Sequence, residues 1–283
     1  AMKLVSAGQT LQEMRTQMER IDDVMEYPDD AVLKESDSSE GLTKLSGKIE
    51  LKNITFGYSP LAEPLIKNFS MSLTAGKSVA IVGASGCGKS TMSKLIAGLY
   101  KPWSGEILFD GKTMNQIPRN VFRGSLAVVD QDIILFEDTI ANNIKMWDDS
   151  IEDFEMILAA HDAQIHDDIM QRPRGYNHKL IEGGKDFSGG QRQRIEIARS
   201  LAQDPTIVIL DEATSALDAA TEYEVVKAIR KRGITCIIIA HRLSTIRSCD
   251  EIIVMEQGVI KSRGTHKELM ENSEIYRNLV SAE

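Results

Sequence analysis

Val79-Ala80-Ile81-Val82 runs without a break into Gly83-Ala84-Ser85-Gly86-Cys87-Gly88-Lys89-Ser90. Met92, Leu95, Ile96 and Leu99 then recur at helical spacing. A short, fully apolar run is what a strand buried on both faces of a parallel sheet looks like. The eight residues from Gly83 satisfy G-x-x-x-x-G-K-[ST]. Each residue type in that pattern has a physical task. Glycines let successive backbone N–H groups turn inward as an anion nest. The following helix aims its positive end at the same point. Lys89 can reach β- and γ-phosphates, and the Ser90 hydroxyl can coordinate Mg²⁺. Such a pattern arises by chance in about one chain in a hundred of this size. The strand before it and the helix after it supply the context that chance would not. The expectation is a site for ATP and Mg²⁺, with hydrolysis. Cys87 lies inside the loop, either as a small filler or as a thiol activated by the helix N-terminus. The second reading predicts inactivation by a thiol reagent and protection by ATP.

A second strand signal, Ile207-Val208-Ile209-Leu210, ends in Asp211-Glu212. Acids at the carboxyl end of a parallel strand sit beside such a loop. Asp211 is expected to hold Mg²⁺, directly or through water. Glu212, one residue on, points elsewhere and is placed to polarise an attacking water. The alternative is a pair of solvated acids at a strand end.

Working outward, Ile49, Leu51, Ile54 and Phe56 suggest an edge strand with a register shift near Asn53. Cys236 to Ile239 reads as another buried strand. Ile252 to Met255 and Val259 to Lys261 flank Glu256-Gln257-Gly258 as a hairpin. Thr265 with Glu268 forms a capping-box pattern. Residues 133 to 203 are mostly helical in pattern. Strands alternating with helices imply an α/β fold with a mostly parallel sheet. Toward the start, Leu11, Met14, Met18, Ile21 and Met25 make one apolar stripe, ended by Pro28. That helix either packs on its own domain or is the tail of one arriving from another domain. Residues 29 to 47 are acidic, serine-rich and poor in large apolar residues, which reads as a linker.

The chain has 283 residues and 42% hydrophobic content, enough for a sizeable core. Its net charge of -9 argues against a general nucleic-acid binder. No apolar run approaches the roughly 20 residues that span a bilayer. The amphipathic start is not expected to be a secretory signal. Three cysteines in no metal-ligand pattern suggest neither zinc nor a disulfide framework and fit a reducing compartment.

Phe187-Ser188-Gly189-Gly190-Gln191, running into Arg192-Gln193-Arg194, resembles the LSGGQ motif of ATP-binding-cassette proteins, with Phe187 at the usual leucine. Ser188 opens a helix continuing to about Ala202 on Ile195, Ala198 and Leu201. A serine cap with glycines behind it is a second anion site in form. Other elements follow in family order. Tyr58 resembles the aromatic residue that stacks on adenine, Gln131 the Q-loop glutamine, Ser215-Ala216-Leu217-Asp218 the D-loop and His241 the switch histidine. The resemblance implies a P-loop NTPase (RecA-like) core, an N-terminal antiparallel β-subdomain and a helical subdomain at about 133–203. It implies catalytic roles for Glu212, His241, Lys89 and Gln131, and metal ligation by Ser90, Gln131 and Asp211. It assigns nucleotide contacts to Tyr58, to Gly83 and Ser85 through Thr91, and to Ser188, Gly189, Gly190, Gln191 and Asp218. In the family, the motif at Ser188 of one copy closes over ATP held by a second copy, head to tail.

Asp130 to Ile140 and Leu180 to Gly184 resemble the exporter branch, and Leu99 to Glu106 is similar to peptidase-containing bacteriocin exporters. The resemblance then implies residues 1–46 as connector helix and linker from a transmembrane domain of the same polypeptide, and 47–283 as the ATP-binding domain. The cargo would be a peptide not bound by this domain. The site would lie at the cytoplasmic face of a bacterial plasma membrane. Two rivals are a DNA-repair or chromosome ATPase of the superfamily and a non-hydrolysing regulatory module. No heptad insertion separates residues 90 and 188, and Glu212 and His241 are both in place. No nucleic-acid partner is therefore expected.

Overall fold

The computed structural model describes residues 2–26, 43–239 and 242–281. Helix α1 (Met2–Met25) comes first. Strands β1 (Ile49–Phe56), β2 (Ile66–Leu73) and β3 (Ser78–Gly83) lead to α2 (Lys89–Ile96). Next come β4 (Ser104–Phe109), β5 (Lys112–Thr113), α3 (Arg119–Ser125) and β6 (Leu126–Val129). A helical stretch holds α4 (Ile140–Lys145), α5 (Asp153–Asp162), α6 (His166–Met170) and α7 (Gly189–Ala202). The rest is β7 (Ile207–Asp211), α8 (Ala219–Lys231), β8 (Thr235–Ile239), α9 (Leu243–Ile246), β9 (Glu251–Glu256), β10 (Val259–Gly264), α10 (His266–Asn272) and α11 (Glu274–Ser281).

The strands form two sheets. One is four-stranded, in the order β2-β1-β4-β5, and antiparallel. The other is six-stranded, in the order β10-β9-β3-β8-β7-β6, and parallel except for β10. The parallel strands are apolar throughout because both faces are covered. Ala80, Val82, Val208, Leu210 and Ile238 face one core, with the helices α4 to α7. Val79, Ile81, Ile209, Ile237 and Ile253 face the other. There α2 lies between the sheets: Met92, Leu95 and Ile96 share a cluster with Ile49, Leu51 and Phe69 of the antiparallel sheet. Each such side chain contributes about 1.5–3 kcal/mol by leaving water. Leu95→Ala would cost about 2–5 kcal/mol and loosen the helix that carries the loop.

Several expectations hold in detail. Asn53 adopts φ 51, and the β1–β2 register shifts between Leu51 and Ile54. The β9–β10 hairpin turns at Gln257 (φ 48) and Gly258 (φ 77), the two left-handed positions of a tight hairpin. Thr265 and Glu268 form the capping box of α10.

Others need correction. β1 is not an edge strand; it pairs with β2 on one side and β4 on the other. Alternation reports that one face is buried, not how many edges are paired. Leu99 lies beyond α2 and is 67% exposed, because Gly98 at φ 77 ends the helical path. Of the two readings of α1, exposure favours the second: Leu11, Met14, Met18, Ile21 and Met25 are all exposed. Ahead of β1, Leu45 is buried and its N–H donates to Ser125 Oγ at 2.9 Å. Pro28 and the acidic stretch up to residue 42 lie outside the described residues. Among the described residues no helix is long and apolar enough to cross a membrane.

Candidate active site

The site forms where β3 and β7 end, on either side of β8. β3 runs into the glycine-rich loop, and two glycines there answer to geometry. Gly83 sits at φ 156, and a Cβ there would overlap the Met255 carbonyl oxygen. Gly88 is the N-cap of α2 at φ 102, and no side chain caps that helix. The first-turn N–H groups of α2 are thereby left for a ligand. Lys89 is 4% exposed and folds back on its own loop, donating to Gly83 O at 2.9 Å and Ala84 O at 3.0 Å. Its ammonium is held over the nest that the chemistry requires.

Ser90 Oγ donates to Asp211 Oδ1 at 3.0 Å, and Ser93 Oγ to Asp211 Oδ2 at 2.8 Å. Asp211 is 4% exposed. Burial pushes its carboxyl above the usual range; the two serine hydroxyls pull it back, while Asp130 and Glu212 add repulsion. A buried carboxylate beside two further acids is short of positive charge. Its surroundings offer hydroxyl and carboxylate oxygens, the donor set of a small hard divalent cation. The residues present therefore fit Mg²⁺.

Glu212 adopts φ 52, a left-handed conformation that costs an ordinary residue about 1–2 kcal/mol. Its N–H donates to Ile239 O at 2.8 Å. That twist turns its side chain away from the strand alternation that buries Asp211. Gln131 follows β6, whose end pairs with the end of β7 at Val129 and Leu210. It is exposed, and its N–H donates to Asp130 Oδ1 at 2.7 Å. Among the described residues no hydrogen bond joins its side chain to Ser90 or Asp211. His241 lies outside the described residues.

Tyr58 is 60% exposed at the lip of the loop. Its hydroxyl shares a hydrogen bond with Thr91 Oγ1 at 2.9 Å, and its ring stands edge-on to Phe56 and Tyr100 at 5.4 and 5.5 Å. The Thr91 side chain thus holds the ring. Cys87 is 5% exposed and packs in the core. That suits the small-filler reading: a reagent reaches this sulfur only when the loop opens.

The other glycine motif is elsewhere. Ser188 caps α7, accepting from Gln191 N at 3.2 Å while its own N–H donates to Gln191 Oε1 at 2.9 Å. Gln191 Nε2 also donates to Asp168 Oδ1 at 2.8 Å. A Cβ on Gly190 would lie 2.8 Å from Ala216 O, so this helix start is pressed against the Ser215–Asp218 turn. A Cβ on Gly189 would meet only ordinary contact, with the Ala216 Cβ at 3.9 Å. Asp218 caps α8; Thr221, through its hydroxyl and its N–H, holds the carboxyl below the usual range. Among the described residues no hydrogen bond joins Ser188–Gln191 to the Gly83–Ser90 loop.

Sequence reasoning missed Ser93, Asp130 and Gln193. Ser93 had a signal: three residues after Ser90 on a helix, it shares its face. Asp130 and Gln193 had none, since Asp211 and Ala216, on which they act, are distant in the chain.

Residues 66–215 match the family described as ABC transporter. The chain is 40% identical over 277 residues to the alpha-hemolysin translocation ATP-binding protein HlyB of Proteus vulgaris, covering 96% of this chain and 38% of that protein. It is 40% identical over 261 residues to the mitochondrial iron-sulfur clusters transporter atm1 of Neurospora crassa, covering 89% of this chain and 36% of the relative. A bacterial Atm1-family ABC exporter solved with ATP bound superposes with a TM-score of 0.84 at 36% identity, over 97% of this chain and 47% of that one. The chain thus spans less than half the length of these relatives.

Proposed function

The chain belongs to the ABC transporter family, as an ATP-binding domain of exporter type, and from that premise we propose that it hydrolyses ATP to drive export by a longer membrane protein. The observation that carries this is the meeting of the Gly83–Ser90 loop with the end of β7, through Ser90 Oγ and Asp211 Oδ1 at 3.0 Å. In this reading the loop N–H groups and Lys89 bind the phosphates, and the Tyr58 ring receives adenine. Ser90, Asp211 and Gln131 would hold Mg²⁺, which would supply positive charge to offset that of the phosphates. Glu212 polarises the water, and His241 contacts the γ-phosphate. Ser188, Gly189, Gly190, Gln191 and Asp218 face the nucleotide of a second copy, arranged head to tail. ATP that binds well only to the closed pair shifts the population toward it.

The exposed stripe of α1 suits a connector from a transmembrane domain of the same polypeptide. Ile134 and Phe136, with Trp147 at 5.2 Å from the Phe136 ring, form an apolar patch suited to short helices of that domain. The cargo class we favour is a polypeptide, as the name of HlyB suggests, with the domain at the cytoplasmic face of a bacterial plasma membrane. A small metal-cluster cargo is the second reading, carried by the likeness to atm1.

Phosphate release by wild type but not by Glu212→Gln, with ATP binding retained, is the expected result. Equal release by both would refute the role given to Glu212. For cargo, the whole protein in vesicles should hydrolyse ATP faster with an unfolded polypeptide than with a small thiol-ligated cluster. The reverse would favour the second reading.

A further inference from the structure

The turn between β7 and α8 is held by a group that the nucleotide-site reading leaves out. Arg242 donates from Nη2 to Ser215 O at 2.8 Å and from Nη1 to Leu217 O. The same Nη1 lies 3.6 Å from Glu222 Oε2. Glu222 is fully buried; its Oε1 accepts from the Thr214 hydroxyl, and among the described residues its Oε2 accepts no hydrogen bond. An uncompensated buried carboxylate is costly, so Arg242 is its counter-charge. Between the two carbonyls taken by Arg242, the Ala216 N–H donates to Gln193 Oε1 of α7 at 3.0 Å. The turn is therefore fastened to α8 through Glu222, to the segment after β8 through Arg242, and to α7 through Gln193.

Glu212 depends on that turn. Its left-handed φ of 52 must be held from both sides. One side is its N–H on Ile239 O; the other is its carbonyl, which accepts from Ser215 N at 3.2 Å. We propose that Arg242, fixed by Glu222, is a positioning residue for ATP hydrolysis: it clamps the Ser215–Leu217 turn and so holds Glu212 and the start of α7 in one frame. A planar guanidinium meets two carbonyls at a fixed spacing; an ammonium does not. The inference rests on the reading of Glu212 as the group that acts on the attacking water.

The test is steady-state phosphate release, with affinity for a fluorescent ATP analogue and circular dichroism, on this 283-residue chain. Arg242→Ala should lower kcat by about 10- to 100-fold, with nucleotide affinity within about twofold of wild type. Arg242→Lys should recover only part of the rate. Glu222→Gln should lower kcat in the same way, and the double variant Arg242→Ala/Glu222→Gln should be no slower than Arg242→Ala alone. Wild-type kcat in Arg242→Ala, an equal loss of affinity, or multiplicative losses in the double variant would overturn the proposal. If Arg242→Ala does not fold, Arg242→Lys and Glu222→Gln decide, and wild-type kcat in both overturns it. Glu212→Gln separates the two ideas. If it retains the wild-type rate, the reading of Glu212 fails. If it is inactive while Arg242→Ala is unimpaired, only the clamp fails.

Discussion

The two glycine-rich helix starts, at α2 and at α7, look alike in sequence and differ in how their backbone is satisfied. At α2 the N-cap is Gly88, no side chain caps the helix, and Lys89 is buried over the loop. At α7, Ser188 and Gln191 cap each other reciprocally. The first start leaves its first-turn N–H groups to a ligand; at the second, the Ser188 and Gln191 N–H groups are already satisfied in the free chain. In the proposed function the two starts divide one reaction into a binding half and a closing half.

The comparison breaks most visibly if the first start is not where chemistry happens. Lys89→Ala should lower phosphate release by about 10²–10³-fold, the effect of losing a preorganised donor to developing charge. An unchanged rate would undo the assignment. Next in size is Gly190→Ala, whose Cβ would press on Ala216 O. It should slow hydrolysis by about tenfold or more while a single copy still binds ATP normally, measured by analogue fluorescence. Weakened binding would mean that the two starts are not separate halves.

Ser188→Ala removes the cap and should cost about 1 kcal/mol, seen as a fall of about 2–4 °C in Tm. No change would mean that α7 is not held by its box. Smaller still is the effect of Asp211→Asn on the ligand-free chain. Burial raises the Asp211 pKa in the fold, so the folded chain binds that proton more tightly than the unfolded chain does. Its favourable contribution is complete below the unfolded carboxylate pKa and is lost as pH rises through the folded value. Asp211→Asn should therefore raise Tm at neutral pH, with the gain shrinking on acidification; a lower Tm at pH 7 would refute this.

Much of the site was legible because its pieces are short and local. The loop, the Ser188 cap and the Thr265 box each lie within a few residues of their own partners, and the acids directly follow an apolar run. The strands β3, β7 and β8 were legible because burial on both faces leaves uninterrupted apolar runs. β1 was misread as an edge because one strand's alternation says nothing of its second neighbour. Cys87 was left between two readings because a loop position does not say whether a side chain faces the mouth or the core.

The sequence by itself determined the phosphate loop, the order of the motifs and the α/β alternation, since these depend on backbone preference and period over short spans. Only the tertiary structure decided that Ser93 joins Ser90 on Asp211, that Thr91 holds the Tyr58 ring, and that Arg242 reaches back to Ser215 and Leu217. Those contacts join residues far apart in the chain, and a long-range pair becomes favourable only once packing has already met the entropy of bringing its ends together.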